Sequence, residues 1–200
     1  MGRKTSKEDS LDKRADIYGL VLAGGKSSRM GRDKASIVFH DLPQKDHVFN
    51  LLDSFCAKVY SSISSHANPR DFKNPIVDQF DFDSPLNGIL TAFQIGADNA
   101  WLSMPIDMPA IDTEVIRTLI SERDKSKIAT CFFDSTGKEP EPLLTIWEKR
   151  AADELRSFVR EGNLSPRNYL SISDIKILPS PGGEKLRNIN TQDDLRAYEA

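Results

Sequence analysis

The stretch DIYGLVLAGGKSSRMGRDK, Asp16 to Lys34, decides how the rest of the chain is read. It opens on a short apolar run, Ile17 to Leu22, and breaks into Gly24-Gly25. Four cations follow: Lys26, Arg29, Arg32 and Lys34. A buried strand running into a glycine loop brings the backbone close to a ligand and lets main-chain N–H groups point at phosphate oxygens. The cations then neutralise what the amides leave. The spacing excludes two phosphate loops. No G-x-x-x-x-G-K-[ST] occurs, and Lys26 stands where the dinucleotide fingerprint needs its second glycine. What remains is a phosphate loop of another kind, or a glycine turn with a solvated basic face.

Working outward, apolar runs and helical stripes alternate. Residues 1–16 are polar without a period and read as a flexible leader; residues 17–200 read as one domain. Strands are expected at Ile17–Ala23, Lys58–Ile63, Pro75–Asp78, Ala100–Met104, Ile128–Phe133, Leu143–Trp147 and Ile175–Leu178, with a short extended piece at Ala35–Phe39. Asp134 to Glu141 reads as a turn-rich loop. A helix after Pro43 carries Val48, Leu51, Leu52 and Phe55 on one stripe. A second has Ser84 as N-cap, Pro85 in its first turn, and Leu86, Ile89, Leu90 and Phe93 on one face. Others begin near Asp112, Glu148, Pro166 and Thr191, the last with Asp194 as capping box. Alternation of this kind predicts an α/β fold: a single three-layer domain with a mostly parallel sheet, Rossmann-like, with ligands outside the carboxyl ends of the strands.

Charge points the same way. Residues 1–34 hold nine Lys or Arg and five acids, a surplus of four; the whole chain is −3, so the remainder is −7. A cationic loop on an acidic body suits a small anionic ligand and not DNA or RNA. Cys56 and Cys131 are far apart with no C-x-x-C pairing, so they read as buried free thiols. No stretch is long and apolar enough to span a membrane, and a cytoplasmic location is expected. Met1 to Ser6 fits the short M-G-x-x-x-[ST] lipidation pattern at Gly2, but the flanking charges read as a disordered tail.

Three further places can carry chemistry. Asp107 lies at the mouth of an apolar strand in SMPIDMP, between Pro105 and Pro109. It suits Mg²⁺, which takes one or two carboxylates, and it also suits a turn cap. Asp78 precedes the turn Ser84-Pro85-Leu86-Asn87-Gly88; its carboxylate can accept paired N–H donors from a base, or be a solvated loop acid. Asn188-Ile189-Asn190-Thr191 offers amide donors and acceptors, or a plain helix cap. His40, His47 and His66 show no ligand or triad spacing, and Trp101 and Trp147 read as core.

Leu22 to Lys34 fits L-A-G-G-x-S-x-R-M-G-x-D-K without a break. In this the chain resembles the MobA-like molybdenum cofactor guanylyltransferase family, from about Ile17 to the C-terminus. The resemblance implies a nucleotide-diphospho-sugar transferase-like fold and transfer of GMP from GTP to molybdopterin, with release of pyrophosphate. It implies Mg²⁺ on Asp107, catalysis by Arg29, Lys34 and Asp107, and nucleotide contacts at Leu22, Ala23, Gly24, Gly25, Lys34, Asp78 and Asp107. It puts Asn188 and Asn190 on the acceptor side and implies contacts with other molybdenum cofactor proteins. Departures are Ser62 for the family's usual asparagine, Ser84 for a glycine, and His40-Asp41-Leu42-Pro43 for N-G-K-P. Two other readings stay open: a sibling nucleotidyltransferase with another acceptor, a cytidylyl or sugar-1-phosphate enzyme, and a catalytically silent nucleotide-binding module.

Overall fold

The computed structural model describes residues 16–24, 39, 41–182 and 184–199. The extended piece expected at Ala35–Phe39 lies outside these, except for Phe39. Seven strands form one sheet: β1 (Ile17–Leu22), β2 (Lys58–Ile63), β3 (Pro75–Val77), β4 (Ala100–Pro105), β5 (Ala129–Phe133), β6 (Pro140–Trp147) and β7 (Lys176–Leu178). Their order is β3-β2-β1-β4-β6-β5-β7. All pairs are parallel except those of β6, which runs antiparallel to both β4 and β5.

The helices are α1 (Gln44–Asp53), α2 (Pro85–Ile95), α3 (Thr113–Ser121), α4 (Ala151–Arg160), α5 (Pro166–Ile172) and α6 (Gln192–Glu199), with a 3₁₀ turn at Pro69–Asp71. Side chains alternate across each strand, so the sheet supplies two cores. Ile17 and Val21 of β1, with Leu102 and Met104 of β4, face Val48 and Leu52 of α1 and Ile116 and Leu119 of α3. Leu20 and Leu22, with Trp101, face Leu86, Leu90 and Phe93 of α2, Leu155 of α4 and Leu170 of α5. The result is the expected three-layer α/β/α arrangement.

Caps behave as the sequence predicts. The Leu86 N–H donates to Ser84 Oγ at 3.1 Å, and Glu114 and Val115 donate to Asp112 Oδ1 at 3.1 Å. Thr191 and Asp194 close a reciprocal box at 2.9 and 3.1 Å. Both tryptophans are fully buried and both thiols are buried. Among the described residues no helix is long and apolar enough to cross a membrane.

One expectation is corrected. Pro140 and Glu141, read as loop, open β6. Proline hides a strand from pattern reading because it cannot donate to a ladder. Here Pro140 is the first strand residue, opposite Phe133, and Pro142 lies where the register with β5 shifts.

Candidate active site

The carboxyl ends of β1, β2, β3 and β4 open on one edge, and a cleft of about 570 Å³ lies there. That volume is in the range of small-molecule sites. Leu22, Ala23 and Gly24 form its floor as β1 ends. The end of β1 is pinned to β2, where the Ala23 N–H donates to the Ser62 carbonyl at 3.1 Å. The first turn of α2, and Pro105 to Asp107 at and just beyond the end of β4, also line it. The sequence-predicted Leu22, Ala23, Gly24, Asp78 and Asp107 therefore meet in one cleft. Gly25, Arg29 and Lys34 lie outside the described residues.

Asp78 follows β3. Its N–H donates to the Ile63 carbonyl at 2.9 Å, and its Oδ1 accepts the Ser62 hydroxyl at 2.7 Å. Burial pushes its carboxyl above the usual range, while the bond from Ser62 opposes the shift. Next comes a strap, residues 79–83, that walls the cleft. Phe80 and Phe82 stack within it at 5.7 Å between centroids. Asn87, buried in the first turn of α2, holds the strap: its Nδ2 donates to the carbonyls of Phe80 (2.6 Å) and Phe82 (3.1 Å), and its Oδ1 accepts the Phe80 N–H at 3.1 Å. Thr91, one turn on, accepts the Gln79 N–H at 3.0 Å. In the sequence Asn87 reads only as part of the turn Ser84 to Gly88, with no local signal for its hold on the strap.

Asp107 is half-buried at the cleft, two residues beyond β4. Its backbone carbonyl accepts the Ile189 N–H at 2.7 Å, which fastens the Asn188–Asn190 segment to this turn. Asn188 and Asn190 themselves are exposed and do not line the cleft. Glu141, at the start of β6, is an ionisable group that sequence reading passed over. It is 3% exposed, and burial pushes its carboxyl up to about 7, with Asp107 and Asp134 adding to the rise and Arg167 opposing it. Its Oε1 accepts the Leu143 N–H at 2.9 Å.

The described lining holds Asp78, Asp81, Asp83 and Asp107 and no lysine or arginine. Among the described residues no three His, Cys, Asp or Glu converge as a metal cage. A half-buried carboxylate with room for water and phosphate oxygens fits Mg²⁺, which seldom takes an all-protein cage, and does not fit a structural zinc.

Residues 19–173 match the MobA-like NTP transferase domain. The chain is 30% identical over 184 residues to the molybdenum cofactor biosynthesis bifunctional protein of Synechocystis, covering 89% of this chain but only 52% of that protein's length. It is 28% identical to the molybdenum cofactor guanylyltransferase of Pseudomonas paraeruginosa, covering 90% of this chain and 92% of that one. A crystal structure of molybdopterin-guanine dinucleotide biosynthesis protein A from Archaeoglobus fulgidus superposes with a TM-score of 0.73 at 23% identity, over 91% of this chain and 96% of the other; it shares the fold.

Proposed function

Because this chain belongs to the MobA-like NTP transferase family, we propose that it transfers GMP from GTP to the phosphate of molybdopterin and releases pyrophosphate. The observation that carries this reading is the convergence of Gly24, Asp78 and Asp107 on one cleft at the strand ends. The acceptor phosphate oxygen attacks the α-phosphorus, a new P–O bond forms, and the bond to the β-phosphate oxygen breaks. Charge builds on the phosphate oxygens, so the protein's work is positioning and charge stabilisation.

The described walls are acidic, so a triphosphate needs cations brought to it. Asp107 would hold Mg²⁺, which supplies charge neutralisation at the phosphates. Arg29 and Lys34, in the segment that follows Gly24 and Gly25, are assigned the rest. Leu22, Ala23, Gly24 and Gly25 contact the nucleotide as the strand gives way to the loop, the Ala23 N–H itself being held by the Ser62 carbonyl. Asp78 faces the guanine edge, where a carboxylate accepts two adjacent N–H donors. Asn188 and Asn190 stand beside the Asp107 turn as the acceptor side. The likeness to molybdenum cofactor guanylyltransferases supports molybdopterin as the acceptor.

The test is a comparison of GTP, CTP, ATP and UTP, each with magnesium, by thermal shift and by pyrophosphate release with molybdopterin. Preference for GTP with turnover is expected. Preference for CTP would favour a sibling transferase. A thermal shift with no pyrophosphate release from any of the four would favour a silent nucleotide-binding module, and no shift with any would refute nucleotide binding at this cleft.

A further inference from the structure

Ser62 is the last residue but one of β2 and is 1% exposed. A buried hydroxyl in a strand needs a partner. Its partner here is no structural group but the carboxylate of Asp78 in the cleft, at 2.7 Å. The approach is possible because residue 88, in the first turn of α2, is glycine. A Cβ there would lie 2.1 Å from Ser62 Oγ and 2.9 Å from Ser62 Cβ, well inside the limit of non-bonded contact. On the far side, a Cβ on Gly24 would lie 3.4 Å from Asp78 Oδ2. A Cβ on Gly88 would also lie 3.4 Å from Asp78 Oδ1, so the carboxylate sits between Gly88 of α2 and Gly24 beyond β1, with Oδ1 held from β2 and Oδ2 turned toward Gly24.

Where the resembled family usually has asparagine, an amide could meet a base directly. Serine is shorter, and its only donor is spent on Asp78. We infer that Ser62 is a positioning residue for base selection: it fixes the Asp78 carboxylate in the orientation that accepts the ring N–H and the exocyclic amine of a guanine base, and Gly88 provides the space it needs. The inference rests on the guanylyl reading of the site. A carboxylate oriented before the nucleotide arrives need not be ordered on binding, and ordering a side chain costs affinity. A hydrogen bond to a charged group also offsets its loss of water in a half-buried place.

The experiment titrates the full chain with magnesium and either GTP or inosine triphosphate, which keeps the ring N–H and lacks the exocyclic amine. Ser62→Ala is expected to weaken GTP by about tenfold, the scale of one charge-assisted hydrogen bond, and inosine triphosphate by less. The GTP preference therefore shrinks. Gly88→Ala is an independent probe, because its Cβ displaces the Ser62 hydroxyl without removing it; the same narrowing is expected. Equal weakening of both nucleotides, or none, in folded Ser62→Ala overturns the positioning role. Asp78→Ala separates the two claims. If it abolishes the preference while Ser62→Ala and Gly88→Ala keep it, the role of Ser62 falls and the guanine reading stands. If Asp78→Ala keeps the preference, both fall.

Discussion

Glu141 enters the interior with its carboxyl held near neutral pH, at about 7 against 4.5 for a free glutamate. Its folded value is raised, so the native state keeps a proton that the unfolded chain releases. Stability is therefore lost as pH rises from about 4.5 through about 7, not as it falls. The shift amounts to roughly 3 kcal/mol. Glu141→Gln, whose carbonyl can still accept the Leu143 N–H, is expected to flatten the pH dependence of melting across that window; an unchanged slope would refute the assignment. Burial also pushes the Cys131 thiol up to about 12, so the thiolate is scarce. Neither Cys131 nor Cys56 is expected to react with a thiol reagent until the protein unfolds, as read by labelling against denaturant. Gly24, Asp78 and Asp107 were legible because a fixed-spacing motif and strand ends mark them. Glu141 was not, since an acid between prolines has the look of a turn. Lys34→Ala is expected to abolish turnover and leave the melting temperature unchanged, measured by pyrophosphate release and thermal denaturation.

At the scale of elements, the strap of residues 79–83 owes its shape to α2. Asn87 satisfies three backbone groups of the strap from a buried position. Asn87→Ala would leave those groups without partners, at about 1–3 kcal/mol for each one shut away from water. We expect a lower melting temperature and faster amide exchange confined to residues 79–83, with α3 on the other face of the sheet unchanged; uniform exchange would refute the clamp. The helices and most strands were legible, because caps and periodic stripes are local signals. The antiparallel sense of β6 was not. Direction in a sheet is set by the neighbours a strand pairs with, and the apolar run Leu143–Trp147 reads the same either way.

Across the whole molecule, Arg123 gathers three distant parts. It donates to both oxygens of Glu148 beyond β6, at 2.6 and 2.8 Å, and to Asp16 ahead of β1 at 3.0 Å. Its side chain is 7% exposed and that of Glu148 is 8%, so removing one partner strands a buried charge. Arg123→Ala is expected to cost about 3–5 kcal/mol, which for a chain of this size lowers the melting temperature by roughly 10 °C. A drop of only a degree or two would refute it. The three-layer architecture was legible from alternation alone; the order of strands was not, because it depends on contacts far apart in sequence. The short link between Ile189 and Asp107 has its own outcome. It ties a turn in mid-chain to a stretch more than eighty positions later, so a protease nick near Gly182 is expected to loosen the Asp107 turn and weaken magnesium binding at the site proposed there, with no mutation anywhere near β4.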